Sequence, residues 1–161
     1  MNGSTVLLNF AKEIRRATIK RLEEAQQQWM TFAPVGTSNH IAWHAGHVLW
    51  VQDYLCVEPL AGKSELPGAW AEQFGIDCQP VGDQKEWPSK EELLALLEKQ
   101  DQRIQGLLTE VSQDRLAEVA RPEKGDATIA ERIAHGLIDE AKHCGETVSY
   151  THLTLPTTPY V

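Results

Sequence analysis

Three histidines fall within eight residues of the stretch HIAWHAGHVLW: His40, His44 and His47. On a helix they occupy positions i, i+4 and i+7, close to one face. Late in the chain, His135, Asp139 and His143 stand at i, i+4 and i+8. Imidazole and carboxylate donors four residues apart on a helix can share one metal ion. His135 and His143 would lie about 12 Å apart along the axis. That is too far for one ion, whose bonds to nitrogen are about 2.0–2.1 Å. The economical set is Asp139 with His143, joined by one histidine of the earlier cluster. Two imidazoles and one carboxylate leave coordination positions open to water or substrate, as in a catalytic rather than a structural site. Zinc, iron, nickel and manganese all suit such donors. The competing reading makes each histidine a core residue satisfied by a hydrogen bond. Asp139 and His143 are then only a solvated helical pair.

Positioning these groups needs two long helices side by side, and the apolar periodicity predicts four. The first runs from about Thr5 to Met30, with Leu7, Phe10, Ile14, Ala17, Leu22, Ala25 and Trp29 on one stripe. Arg15, Arg16, Lys20, Arg21, Glu23 and Glu24 then cover the solvent side. The second starts near Thr37 or Ser38, carries the histidine cluster, and ends before Pro59. Its apolar residues lie on more than one face, so it is expected to be the most buried helix. A long connection over residues 59–88 follows, with a short helical turn in PGAWAEQFG. Trp70, Phe74 and Trp87 should pack it down on the bundle. Ser89 and Glu92 form a capping-box pattern that opens the third helix, with Leu93, Leu97, Ile104, Leu107 and Val111 as its stripe. The fourth starts near Asp126 or Thr128 and runs through IAERIAHGLIDEAKHCGE. No strand pattern is legible. The expected fold class is all-α, a four-helix bundle with a long connection between helices two and three, where sites are built from facing helices.

Composition narrows the function classes. The chain of 161 residues suits one domain, and at 42% hydrophobic it can fill a core. A formal net charge of −8 with no basic block argues against nucleic acid and against an anionic membrane surface. No apolar run approaches the length of a membrane span. The first charges follow the first apolar residues, the reverse of a secretory signal. Cys56, Cys78 and Cys144 are odd in number and form no C-x-x-C pair, which suits a reduced cytoplasm.

Residues 148–161, VSYTHLTLPTTPYV, contain no Asp, Glu, Lys or Arg. A DNA sequence that encodes VSYTHLTLPT resembles a transposon-end adaptor used in preparing sequencing libraries. The expectation is a bundle domain over residues 1–147, a non-native tail over 148–161, and a native C-terminus that is missing. His152 is therefore set aside from every site.

The stretch IAWHAGHVLWVQDYL resembles the second helix of the DinB-like (YfiT-like) metal-dependent four-helix-bundle superfamily. Members often carry W-H-x-G-H there, followed by an acidic residue. Trp43, His44, Gly46 and His47 match, and Asp53 takes the acidic place. On the last helix the family shows H-x-x-x-H followed by R-G-Q or similar. DEAKHCGE is similar, with His143 as the last histidine and Cys144, Gly145 and Glu146 in place of R-G-Q. The resemblance implies His47 and His143 as metal ligands. Asp139 departs from the pattern, standing where the family has its middle histidine. A carboxylate can replace an imidazole on zinc or iron, so the implied ligand set is His47, Asp139 and His143.

The resemblance further implies a divalent metal cofactor and a small-molecule substrate, often a low-molecular-weight thiol. The superfamily includes thiol-dependent S-transferases and isomerases, and members often form homodimers. The first expectation is a metal-dependent thiol S-transferase or hydrolase. The second is a non-catalytic bundle, dimeric or partner-binding, with a site degraded at Asp139. His44 is expected to pack or to support a ligand, His40 to be peripheral, and His135 to form a pocket wall. Trp43 and Trp50 are expected in the core, and Cys144 as a small buried hydrophobe. Glu140 or Asp53 could orient a ligand or move a proton.

Overall fold

The computed structural model describes residues 2–33, 39–76 and 87–153, with side chains described as far as Val148. Its helices are α1 (Gly3–Glu24), α2 (Ile41–Gln52), α3 (Glu58–Ala61), α4 (Ala69–Phe74), α5 (Lys90–Glu110), α6 (Gln113–Ala117) and α7 (Ile129–Leu153). Among the described residues there is no strand, only an isolated bridge between Val119 and Thr128. Helices α1, α2, α5 and α7 form the all-α bundle. Both α1 and α2 pack against α5 and α7, so α1 and α2 occupy one diagonal. That arrangement brings the histidine-bearing face of α2 against α7. No helix among the described residues is long and apolar enough to cross a membrane.

Helix α1 ends earlier than its periodicity predicts. Ala25 turns extended, at φ −65° and ψ 132°, and a 3-10 turn takes Gln27–Trp29. The stop is a tertiary cap: Lys90 Nζ donates to the carbonyls of Glu23 and Ala25 at 2.6 and 2.7 Å. The buried face is also rotated from the expected stripe, and comprises Ser4, Ala11, Arg15, Thr18 and Leu22. Phe10 is exposed, and Arg15, expected in solvent, is only 2% exposed.

Helix α2 begins at an unforeseen cap. His40 Nδ1 accepts the backbone N–H of Trp43 at 3.1 Å. Thr37 and Ser38 lie outside the described residues. His40 is therefore buried rather than peripheral. Nor does the helical path stop before Pro59. A widened π turn over Asp53–Val57 leads into α3, where Pro59 sits in the first turn. Within this continuous path its missing N–H leaves one carbonyl of the preceding turn without an intrahelical donor. Gly62, at φ 81°, closes the segment in the left-handed region that favours glycine.

The connection packs down as expected. Phe74 is fully buried, and its ring lies 4.8 Å from that of Trp70 and 5.7 Å from that of Trp87. Trp70 Nε1 donates to the Gly46 carbonyl at 3.0 Å. The approach of α4 needs glycine at position 46, because a Cβ there would stand 2.1 Å from Phe74 Cε1. Residues 77–86, including Cys78, lie outside the described residues.

Helix α5 opens with the reciprocal capping box of Ser89 and Glu92. It buries Leu93, Leu97, Ile104 and Leu108, while Leu107 and Val111 of the expected stripe are half-buried. The short α6, capped by Ser112, is absent from the sequence expectation. Thr128 and Glu131 exchange capping hydrogen bonds at the start of α7. That helix continues to Leu153, across the composition boundary at 147. Residues 154–161 lie outside the described residues.

Two apolar clusters form the core. One gathers Leu22, Met30, Ile41, Leu49, Leu93 and Leu97. The other gathers Ala11, Cys56, Ile104, Leu108, Ile129 and Ile133. Between them lies a polar layer with one residue from each bundle helix: Arg15, Gln52, Gln100 and Glu140. Arg15 pairs with Glu140 through Nε–Oε1 at 2.8 Å and Nη2–Oε2 at 3.0 Å. Its remaining donors meet the Leu97 carbonyl and Gln100 Oε1, and Gln52 donates to Glu140 Oε2 at 2.9 Å.

Candidate metal centre

The packing of α2 against α7 brings His47, Asp139 and His143 together. One donor atom from each lies within 4.8 Å of the others. His47 Nε2 and His143 Nε2 stand 3.4 and 3.5 Å from Asp139 Oδ2. Donors held tetrahedrally at about 2.0–2.1 Å from one ion would be about 3.3–3.4 Å apart. The observed separations fit that spacing.

The hydrogen bonds around the triad decide which ring atoms face inward. His47 Nδ1 lies 2.6 Å from the Phe74 carbonyl. A carbonyl only accepts, so Nδ1 carries a proton, and Nε2 is the ring atom that faces Asp139. His143 Nδ1 lies 2.8 Å from Glu146 Oε2, which fixes its tautomer in the same sense. The Nε2 atoms of both imidazoles and a carboxylate oxygen therefore converge. Asp139 Oδ2 is buried and has no hydrogen-bond partner among the described residues. A cation among these three atoms would satisfy all of them. His47, Asp139 and His143 are thus a group that could hold a metal ion.

Protonation states favour the same outcome. Burial and the neighbouring His47 hold the His143 imidazole below its ordinary range, against the opposing charges of Asp139 and Glu146. The adjacent His47 chiefly keeps the Asp139 carboxyl below the usual carboxylate range. At neutral pH His143 is neutral and Asp139 ionised, the forms that bind metals.

A second group, His44, His143 and Glu146, shares His143. His44 Nδ1 lies 2.9 Å from His143 Nδ1 and 3.3 Å from Glu146 Oε2. A neutral imidazole offers one lone pair only, so His143 serves one set at a time. With Nε2 committed to the Asp139 side, His44 and Glu146 are the groups that orient His143. Burial and the neighbouring histidines push His44 down to about 3, so it stays uncharged.

Other expectations change. Asp53 and Glu140 are both occupied structurally, so neither is free to orient a ligand or move a proton. Asp53 accepts from Ser64 Oγ at 2.5 Å and from the Glu65 backbone at 3.0 Å. Glu140 is held by Arg15. His135 is exposed on the wall of a cavity, as expected of a pocket residue. Trp43 is buried and stacks on His47 at 4.7 Å. Trp50 is only half-buried, 5.6 Å from His47 and stacked on Tyr54, so it borders the site rather than the core. Cys144 is half-buried, and burial raises its thiol above the usual range. The Phe74 carbonyl was not foreseen at all. A backbone acceptor leaves no mark in residue type, and the fit of Gly46 beneath Phe74 was the available signal.

Comparison with known proteins gives the class. A crystal structure titled as the conserved protein of locus from Enterococcus faecalis has the same fold. It is 16% identical, with a TM-score of 0.70 over 95% of this chain and 97% of that one. The sequence profile of the DinB superfamily matches residues 11–147. The chain belongs to the DinB superfamily. Among curated proteins, none matches it.

Proposed function

We propose that this protein is a metal-dependent enzyme acting on a small molecule, as a thiol S-transferase or hydrolase. His47, Asp139 and His143 hold the ion. The supporting observation is the convergence of two imidazole Nε2 atoms and a carboxylate oxygen at ligand spacing, with both imidazoles oriented from behind. A divalent ion in such a site lowers the pKa of a thiol or water and supplies a nucleophile at neutral pH. Three protein ligands leave room for that group to bind. Trp43 stacks on His47, and Trp50 lies against the same ring. Glu146 and His44 fix His143, and the Phe74 carbonyl fixes His47.

The test is metal analysis of protein purified without a chelating tag and supplied in turn with zinc, iron, nickel or manganese. About one equivalent is expected in the wild type, and its loss in His47→Ala and His143→Ala. Loaded protein should then consume a low-molecular-weight thiol with an electrophile, or hydrolyse an ester or amide. Stoichiometric metal that survives both substitutions overturns the ligand assignment. Failure to take up any of the four metals supports a non-catalytic bundle instead.

A further inference from the structure

Among the described residues His143 belongs to two donor groups at once. Its Nε2 faces Asp139 Oδ2 in the triad, at 3.5 Å. Its Nδ1, on the other side of the ring, lies 2.9 Å from His44 Nδ1 and 2.8 Å from Glu146 Oε2. His44 Nδ1 and Glu146 Oε2 are 3.3 Å apart, which closes the second group into a triangle. Each group thus offers two imidazoles and one carboxylate, donors that zinc and its neighbours accept. The carboxylate of the second group is a departure from the family pattern. Glu146 stands where that pattern closes on glutamine, and an amide oxygen brings no charge to a cation.

The two groups differ in what holds them together. The triad separations of 3.4 and 3.5 Å are longer than a normal hydrogen bond. In the second group the separations of 2.8 and 2.9 Å are those of hydrogen bonds. A carboxylate only accepts, so the proton on His143 Nδ1 is what draws Glu146 in. Metal ions bind to nitrogen by displacing such a proton. An ion in its place would spread the three donors to about 3.3–3.4 Å. Glu146 can follow that movement, because its side chain is 54% exposed, while His44 is buried and gives a fixed wall.

We propose that His44 Nδ1, His143 Nδ1 and Glu146 form a second position for a divalent ion, alternative to the triad. A neutral imidazole offers one lone pair, so when Nδ1 serves as ligand the ring proton stands on Nε2, where Asp139 Oδ2 accepts it. The proton is conserved and only changes ends. The two positions therefore compete for one ion rather than holding two. The Asp139 side chain is 23% exposed, well below that of Glu146. The outer position keeps more water around its carboxylate and should bind about 10–100-fold more weakly. It is therefore read by titration rather than by metal analysis of purified protein. The inference rests on the metal-dependent reading for its first position, at the triad.

The test uses protein carrying isotopically labelled histidine, titrated with the spin-active isotope of cadmium. Coupling between cadmium and a ring nitrogen identifies the ligating atom. In the wild type it should fall on Nε2 of His47 and of His143. The double variant His47→Ala/Asp139→Asn removes two triad donors and keeps the whole second group. There one weaker equivalent should couple to Nδ1 of His143 and of His44. Adding Glu146→Gln should weaken that binding about tenfold or more, and adding His44→Phe should do the same. Circular dichroism confirms that each variant is folded. His47→Phe/Asp139→Leu, which fills the vacated space, serves where the first pair does not fold. The second position is overturned if the double variant couples through Nε2 of His143, or binds no cadmium at about a thousandfold of the wild-type dissociation constant. Binding that Glu146→Gln leaves unchanged overturns it as well. Each of these results leaves the triad intact. Coupling at Nδ1 in the wild type itself overturns the triad and keeps the second position, and cadmium bound by neither protein overturns both.

Discussion

Asp139 and Glu140 are adjacent on α7, yet they serve two different polar clusters. Glu140 points into the polar layer, where Arg15 engages both its oxygens and Gln52 adds a third hydrogen bond. Asp139 points toward α2, where its Oδ2 faces two imidazole nitrogens at non-bonding distance. One carboxylate is saturated by protein donors, and the other has an oxygen that makes no hydrogen bond among the described residues. A saturated buried ion pair specifies how helices pack. A buried carboxylate oxygen left without a hydrogen bond is costly for the free protein and useful when something fills the gap. Buried charge alone does not mark a site; the balance of donors and acceptors around it does.

That contrast can be broken most severely at the saturated cluster. Glu140→Ala strands the Arg15 guanidinium in the core and should cost about 3–5 kcal/mol. The double replacement Arg15→Met with Glu140→Leu should recover most of that loss. Urea unfolding in the presence of a chelator measures both. Gly46→Ala acts on the other cluster from outside, by forcing Phe74 out of its seat. It should cost about 1–3 kcal/mol and weaken metal uptake, because the carbonyl that orients His47 moves with the ring. Calorimetric titration of metal into the variant checks the second effect.

A pH scan separates a third layer. Burial holds His40 down to about 4, so it stays neutral and caps α2. The unfolded chain takes up that proton near pH 6.5. The stabilisation is therefore complete above about 6.5 and is lost as pH falls toward 4. His44 continues the same trend lower down. Thermal melts of the metal-free protein should show this acid arm. His40→Asn, which keeps a capping oxygen, should make it shallower. The smallest effect falls on Asp139. In the metal-free protein Asp139→Asn should change stability by less than about 1 kcal/mol, since no strong partner is lost. With zinc in excess, wild type should gain about 2–3 kcal/mol at a hundredfold of its dissociation constant, and Asp139→Asn far less. If Asp139→Asn costs as much as Glu140→Ala without metal, the contrast between the clusters is false.

Local signals in the chain were read well. The capping box at Ser89 and Glu92 announced α5, and Thr128 after Gly125 announced α7, because such caps are made by residues three apart. Asp139 and His143 were accessible by the same logic, being four apart, whereas His47 was singled out only by the resemblance of its helix to the family pattern. What stayed hidden depends on distant partners. Arg15 reads as a surface residue until Glu140, far along the chain, is beside it. The end of α1 is set by Lys90. His40 reads as a peripheral histidine until its ring is seen to accept the Trp43 amide.

The hydrogen bond from His47 Nδ1 to the Phe74 carbonyl ties the α4 segment to the triad. By thermodynamic reciprocity, any factor by which an ion at Nε2 strengthens that bond must equal the factor by which a docked α4 tightens the ion. If the triad holds an ion, residues 62–76 are coupled to it through that bond rather than a passive cover. Protease protection of that segment, compared with and without zinc, measures the coupling directly. A ligand that loosens the segment would release metal without touching any of the three residues that hold it.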